Sequence, residues 1–185
     1  MIYIIVIAVL ILLIVIGLYN SLVRRKNDVE NAFASIDAML KKRYDLIPNL
    51  VETVKSYMKH EKDLLNELTE LRTKAVSGES SENERVEIEN KIVKGMSGLM
   101  VAVENYPDLK ASQNFLQLQG AWNEVEEQIS ASRRAFNAAV TAYNNKVETF
   151  PSNIMAGIMG YKRKALFEIP DTERQNVNAR KLFNQ

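Results

Sequence analysis

The stretch VENAFASIDAMLKKRYDLIPNLVETV, residues 29–54, repeats mainly apolar side chains at alternating spacings of four and three. The pattern extends past the stretch in two classes. The first class is Val29, Ile36, Arg43, Leu50, Tyr57, Leu64 and Leu71, and the second is Phe33, Leu40, Ile47, Val54, Glu61, Leu68 and Ala75. Such a heptad is typical of a helix that buries one face against other helices. The sequence therefore predicts a long, coiled-coil-like first helix over residues 20–77.

Pro48 stands inside this predicted helix. A proline removes one backbone hydrogen bond, and its ring crowds the carbonyl of Tyr44, four residues before it. Because the heptad stays in phase across Pro48, the sequence favours a kinked continuation of one helix. The alternative is that Asp45 caps a new helix, with Pro48 in its first turn, where proline is tolerated.

Two charged residues, Arg43 and Glu61, break the apolar stripe. In one straight helix they would lie about 27 Å apart, at about 1.5 Å of rise per residue, so they cannot pair with each other. Each is therefore expected to find a bundle neighbour, water or a second subunit. The alternative is that both reach the edge of the bundle through their aliphatic stems.

Ahead of the heptad lies IYIIVIAVLILLIVIGL, residues 2–18, and the next charged residue is Arg24. The uncharged span is about 33 Å long as a helix, which suffices for a bilayer core of about 30 Å. A cleaved signal peptide needs a basic start and a small-residue cleavage site, and neither is present. Residues 1–23 are therefore predicted to be a transmembrane anchor. The cations that follow, Arg24, Arg25 and Lys26, predict a cytoplasmic C-terminal domain and an external N-terminus.

The remaining breaks in the pattern predict an all-α fold. Gly78 resembles a helix C-cap, and Ser81 with Glu84 resembles a capping box that starts a second helix, which ends near Asn105. A turn at 105–112 precedes a third long helix at 112–149, a short amphipathic helix is expected within 154–169, and residues 170–185 read as a polar tail. No segment alternates as a strand would. The prediction for residues 24–169 is an antiparallel up-and-down helical bundle, into which the transmembrane helix continues.

Composition argues against most catalytic chemistry. The chain has no cysteine and one histidine, His60, which has no second imidazole at a metal-binding spacing. There is no Gly-rich phosphate loop, and 24 Lys and Arg residues against 23 Asp and Glu residues leave a net charge of +1. The sequence thus predicts a non-enzymatic protein with no cofactor, no metal site, no nucleic-acid partner and no small-molecule substrate.

The C-terminal segment offers a candidate membrane-surface contact. An apolar group, Ile154, Met155, Ile158 and Met159, is followed by Lys162, Arg163 and Lys164. This layout suits attachment to an anionic membrane surface or to a partner helix, and ordinary closure of the bundle end is the alternative. Arg24, Arg25 and Lys26, which follow the span, are predicted to contact membrane lipid together with these C-terminal cations.

Four long stretches resemble the LemA family of bacterial membrane proteins. They are KRYDLIPNLVETVK (42–55), AVENYPDLKASQNFLQLQ (102–119), RRAFNAAVTAYNNKVETFPSNIMAG (133–157) and GYKRKALFE (160–168). Departures are Phe33, where tryptophan is usual in the family, and MLKKR at 39–43, where a glutamine-containing version is commoner. The resemblance implies a membrane helix at the N-terminus, a helical bundle in the cytoplasm and no established catalytic activity, so no catalytic residues are carried over.

Two functions follow as hypotheses. A first helix of about 87 Å is longer than the returning second helix of about 36 Å can cover, at about 1.5 Å per residue. Lateral assembly would cover it, so the first hypothesis is a scaffold that self-associates at the inner face of a bacterial cell membrane and organises membrane or partner proteins. The candidate interface is Arg43, Tyr44, Asp45, Pro48, Asn49 and Glu61. The second hypothesis is a monomeric, membrane-tethered adaptor or sensor that binds a client such as a membrane protease.

Overall fold

The computed structural model describes residues 1–77 and 82–167, and within these ranges it contains helices and no strand. The helices are α1 (Ile2–Lys55), α2 (Lys62–Ser77), α3 (Glu82–Val103), α4 (Pro107–Lys110), α5 (Gln113–Glu148) and α6 (Ser152–Ile158). The all-α helical bundle is confirmed. The predicted cap at Gly78, the predicted capping residue Ser81 and the predicted tail at 170–185 lie outside the described residues.

Pro48 does not end α1. The helix runs through it to Lys55, so a continuation is confirmed and a new helix capped by Asp45 is wrong. The proline is exposed, while Ile47 and Leu50 on either side of it are at most 1% exposed. The ring faces solvent, so it does not interrupt the packing of the apolar stripe on the other side of the helix.

The predicted extension of the first helix to residue 77 is wrong. The amide groups of Tyr57 and Met58 both donate to the carbonyl of Val54, at 3.0 and 2.9 Å, and the chain then turns before α2 begins at Lys62. This turn buries Met58 completely, at 1% exposure, and leaves Tyr57 42% exposed. Since no glycine or proline marks the turn, the side-chain pattern gave no signal of it.

The second helix folds back against the third at a close approach. The buried residues of α2 are Leu65, Leu68 and Leu71, and α2 packs against α3. At Gly95 of α3, a Cβ atom would lie only 2.8 Å from Cδ2 of Leu68. Glycine at this position therefore lets the two helices approach more closely than a side chain would.

The residues group into two compact units. The first unit contains Met1–Phe33 and the chain from Arg133 onward, and the second unit contains Ala34–Ser132. In the first unit α5 runs antiparallel to α1, because Val29 packs with Val140 and Tyr143 while the Phe33 ring lies 6.0 Å from that of Phe136. Each unit thus has its own packed helix pairs.

A short helix lies near the C-terminal end of the described residues. The sequence predicts a short amphipathic helix within 154–169, and α6 spans Ser152–Ile158, after which residues 161–167 have no regular secondary structure. Gly160 has a φ of +68°, and the amide of Tyr161 donates to the carbonyl of Ala156 at 2.9 Å. This left-handed glycine cap stops the helix, because a residue with a Cβ is strained at that φ.

Candidate functional site

The second unit contains a buried arginine, Arg43 of α1, whose side chain is 1% exposed. Its Nη1 lies 2.9 Å from Oε1 of Glu126 on α5, and its Nη2 pairs with the carboxylate of Glu89 on α3. Its Cζ lies 6.0 Å from the centre of the Trp122 ring. The guanidinium group is thereby held between two carboxylates and an aromatic face, as its planar shape and five donors allow.

Glu89 receives a second donor from α1. The hydroxyl of Tyr44 donates to Oε1 of Glu89, and both residues are buried, at 4% and 7% exposure. Arg43, Tyr44, Glu89, Trp122 and Glu126 are called the arginine cluster below. Because isolated buried charges are costly, the cluster ties α1, α3 and α5 into one arrangement in which each charge has its partner.

The structure separates the residues of the predicted interface. Arg43 and Tyr44 are buried, whereas Asp45, Pro48 and Asn49 are exposed and Glu61 is half-buried at the turn before α2. Arg43 finds bundle neighbours, so the expectation that it reaches the bundle edge is wrong. The carbonyl of Glu61 accepts a hydrogen bond from the amide of Leu65 at 3.2 Å, which places Glu61 at the start of α2. A role for these residues in association stays a prediction.

A groove of about 350 Å³ runs between α3 and α5 of the second unit. It is lined by Val93, Met96, Ser97, Met100, Trp122, Asn123 and Glu126. Glu126 is one third exposed, so its carboxylate faces both Arg43 and the groove. Val93, at 41% exposure, adds an apolar rim. The groove therefore offers an apolar surface beside a fixed negative charge, which suits a segment with an apolar side chain next to a cation.

A second, smaller groove of about 270 Å³ lies between α1 and α5 of the same unit. Its lining includes Lys42, Asp45 and Glu124, which mix both signs of charge. It is the place at which one residue of the predicted interface, Asp45, borders a concave surface.

The first unit holds an extended strap, residues 161–167, through its backbone. The side-chain amide of Asn144 donates to the Lys164 carbonyl and accepts from the Lys164 amide, both at 2.9 Å. Asn137 pairs in the same way with Phe167, at 3.0 and 2.8 Å, and the Tyr143 hydroxyl donates to the Lys162 carbonyl at 3.1 Å. We call Asn137, Tyr143 and Asn144 the asparagine clamp. Its two amides satisfy the backbone of a segment that has no regular secondary structure of its own.

The strap also contributes side-chain contacts. The Phe167 ring lies 5.6 Å from Phe136, edge to face, and the Arg133 guanidinium lies 5.7 Å from the centre of the Phe167 ring. The Lys164 ammonium lies 5.9 Å from the centre of the Tyr143 ring. Burial raises the pKa of Tyr143, and the neighbouring Tyr161 raises that pKa further, whereas Lys26 lowers it. The strap is thus fastened to α5 by amides, rings and cations together.

The cations predicted to contact the membrane all lie in the first unit, and they differ in exposure and in ion pairing. Arg24 and Lys162 are exposed, Arg25 pairs with Asp28 and Lys26 with Glu30, both at 3.3 Å. Arg163 pairs with Glu148 at 3.2 Å, and Lys164 is half-buried against Tyr143. Although paired, the Arg163 side chain is 69% exposed, against 44% for Arg25 and 42% for Lys26. Arg163 therefore presents accessible charge, as do the exposed Arg24 and Lys162.

Of the described helices, α1 is long and apolar enough to cross a membrane, and none of its apolar window is buried. Among the described residues, no group of three or more His, Asp or Glu side chains could hold a metal ion. The LemA family model matches residues 32–180. The chain belongs to the LemA family. The match covers the arginine cluster, both grooves, the clamp and the strap.

Individual relatives agree with this membership. Protein LemA of Metamycoplasma hominis is 30% identical, and the alignment covers 91% of this chain and 77% of that protein. Magnetosome protein MamQ 2 of Paramagnetospirillum magneticum is 23% identical over 81% of this chain, and MamQ of Magnetospirillum gryphiswaldense is 22% identical over 80%. The chain spans 64% of the length of each of these two magnetosome proteins. The LemA family resemblance expected from the motifs is confirmed.

Sequence reasoning missed the partners of both clusters. Glu89 stands at helical spacing from Val93 and Met96 on α3, and a carboxylate on an apolar face was a signal that could have been used. Asn137 and Asn144 stand seven residues apart on α5, which places them on one face of that helix. Asparagine is also common on solvent-exposed helix faces, however, so these two residues alone do not indicate that they bind the backbone of another segment.

Proposed function

We propose that this LemA family protein is a non-enzymatic, membrane-tethered adaptor. The apolar segment of α1 crosses a bacterial cell membrane once, with the N-terminus outside, and the helical units in the cytoplasm hold a client protein. The groove between α3 and α5 supports this proposal. It combines a solvent-open apolar surface with a carboxylate, Glu126, that Arg43 holds in place.

The client chemistry that fits the groove is a segment with an apolar side chain beside a lysine or arginine. Val93 and Met100 would contact the apolar group, because a flexible methionine adapts to many shapes, whereas Met96 and Trp122 are only 2% and 6% exposed. Glu126 would pair with the cation. The buried Arg43 keeps this carboxylate from turning away, so the charge is preorganised for binding.

The end of α1 at Lys55 favours this adaptor over the self-associating scaffold. Lateral assembly was expected because a helix reaching residue 77 would outrun its covering partner. The turn at 56–61 removes that excess length, and the stripe residues Leu40, Ile47, Leu50 and Val54 are already at most 6% exposed in a single chain. The scaffold remains the second candidate function, supported by exposed apolar side chains such as Val101, at 71%, and Leu116, at 50%.

The test combines mass with site-specific crosslinking. Full-length protein in mild detergent should keep the mass of one chain across dilution, by light scattering with the detergent subtracted. A photo-crosslinking residue at Ser97, which lines the groove, should give a discrete adduct in cells. The matched control places the same residue at Asn66, on the exposed side of α2.

Each result decides between the two candidates. An adduct with another protein from Ser97 but not from Asn66, weakened by Glu126→Gln, is expected for the adaptor. A mass of several chains that persists on dilution, with a Ser97 adduct of two copies, would replace the adaptor with the scaffold. Equal adducts from both positions would remove the groove from the proposal.

A further inference from the structure

One face of α6 exposes large apolar side chains to solvent. Phe150, just before the helix, and Ile154 and Ile158 within it are 80%, 59% and 77% exposed. Ile154 and Ile158 are four residues apart in the helix, so they point to one side, while Ser152 and Ala156 on the other side are 3% and 1% exposed. Phe150, Ile154 and Ile158 are called the α6 patch. A contiguous exposed apolar patch of this kind is typical of a surface that contacts a protein or a membrane.

The packing of α1 against α5 within the first unit shows where this patch lies along α1. Phe33 lies opposite Phe136, and Val29 lies opposite Val140. This antiparallel register, continued by seven residues, places Leu22 opposite Val147. Leu22 is 0% exposed, which agrees with a helix partner at that level. The end of α5 and the start of α6 therefore lie level with the end of the uncharged segment, residues 2–23.

The chain cannot carry α6 far from that level. After the left-handed Gly160, the Tyr161 ring lies 6.1 Å from the Tyr143 ring, and the asparagine clamp then holds the strap. Between Glu148 at the end of α5 and Tyr161 the chain therefore leaves α5 and comes back to it. The α6 patch is consequently held at the level of the first unit where the candidate membrane span, residues 2–23, ends.

Exposed cations accompany the patch. Arg24 and Arg25 follow the span on α1, and Lys162 and Arg163 lie near the start of the strap. Asp28 and Glu148 reduce this charge through their pairs with Arg25 and Arg163. An apolar face beside accessible cations is typical of a helix that lies in the interface of a membrane with anionic lipids.

We propose that the α6 patch inserts into the lipid interface beside the end of the membrane span. The first unit then contacts the bilayer twice, through the span and through α6, which holds this unit at a defined height and tilt. This inference rests on the proposed crossing of the membrane by α1, and the occupant of the patch is lipid.

The chain has no cysteine, so single cysteines can report the surroundings of chosen positions. Full-length variants with Ile154→Cys or Ile158→Cys carry an environment-sensitive fluorophore and are reconstituted into vesicles of phosphatidylcholine and phosphatidylglycerol. The matched controls are Asn153→Cys and Asn145→Cys, at exposed polar positions of the same unit. Lipid-borne and aqueous quenchers are then compared at each position.

We expect the two patch positions to be quenched several-fold more by the lipid-borne quencher than the controls, with a blue-shifted emission. Patch positions that are quenched by the aqueous agent as strongly as the controls would overturn the proposal. Protection from both quenchers would also overturn it, because a protein partner would then cover the patch. Vesicles of phosphatidylcholine alone show how much the cations contribute.

Flotation of the same samples separates this inference from the proposed anchor. Failure of the full-length protein to float with the vesicles would contradict the membrane crossing itself. If the protein floats while the patch positions stay aqueous, only the α6 inference fails. The double variant Ile154→Ser/Ile158→Ser should float as before, yet a fluorophore at Phe150→Cys in this background should lose its blue shift.

Discussion

The two units of this chain secure their helices with opposite chemistry. The second unit uses formal charges, with the buried Arg43 between the buried Glu89 and the partly exposed Glu126. The first unit uses neutral amides, with Asn137 and Asn144 against the backbone of the strap. Charges buried together are stable only as a complete set, whereas a neutral hydrogen bond that breaks near the surface can be replaced by water. The two units should therefore respond very differently to the loss of one partner.

The largest effect is expected from Arg43→Leu. It leaves Glu89 buried with an uncompensated charge, so the free energy of unfolding should fall by about 3–5 kcal/mol. Thermal and urea unfolding followed by circular dichroism measure this loss. Lys42→Leu, at an exposed neighbouring position, is the control and should change stability by less than about 0.5 kcal/mol.

A second variant tests whether the charges act as a set. Arg43→Leu combined with Glu89→Leu and Glu126→Gln removes the stranded carboxylates and should recover much of the stability, since apolar residues can replace a buried ionic group. No recovery would show that the unit depends on packing around Arg43 rather than on charge. A change of association in Arg43→Leu at unchanged stability would instead support the interface predicted from the sequence.

A smaller and local effect is expected from Asn144→Ala in the first unit. Two hydrogen bonds are lost, each with a net value of about 1 kcal/mol, and water can reach the half-buried strap. The strap should therefore open more often while the helices stay folded. Limited digestion with trypsin, which cleaves after Lys162 and Arg163, measures this opening as a faster cut.

Asn145→Ala is the matched control, because it changes the same residue type at the neighbouring exposed position of α5. In the Asn145→Ala variant, trypsin should cut the strap at the same rate as in the protein without substitutions. Should Asn144→Ala melt the whole chain in the way Arg43→Leu does, the contrast between the two units would be lost.

Glycine-to-alanine substitutions on α3 and α5 test the packing of the second unit without changing any charge. Gly98→Ala and Gly120→Ala should each stabilise the protein by about 0.5–1 kcal/mol, because alanine is the better helix former and has room at both positions. Gly95→Ala should show little or no gain, because its Cβ would lie 2.8 Å from Cδ2 of the buried Leu68. Urea unfolding followed by circular dichroism measures the stability of the three variants. A full gain at Gly95 would show that Leu68 moves freely.

The smallest effect concerns pH in the first unit. Burial raises the pKa of Tyr143 above its ordinary value of about 10, so the protonated hydroxyl is the form that the folded unit favours. Its contribution is therefore complete below about pH 10 and is lost as the pH rises through the folded-state pKa. Trypsin should therefore cut the strap faster as the pH rises above about 10. Tyr143→Phe, which lacks the hydroxyl that donates to Lys162, should cut faster at neutral pH and show no such rise.

Much of the fold could be predicted from local patterns. The heptad around Pro48 indicated an uninterrupted helix, and the third long helix expected at 112–149 is observed as α5, Gln113–Glu148. The candidate sites were harder. Arg43 was singled out because an arginine in an apolar stripe needs a partner, but the stripe does not say which partner. Glu126 and Asn144 were missed, since their roles exist only where residues distant in sequence meet.

By itself the sequence determined the helical class, the candidate span, the buried side of α1 and membership of the LemA family, because these depend on residue type and spacing along one helix. Only the tertiary structure decided that α1 ends at Lys55, that Arg43 meets Glu89 and Glu126, and that residues 161–167 return to α5. Those features depend on which helices pack together, and the free energy of that packing comes from contacts between segments far apart in the chain.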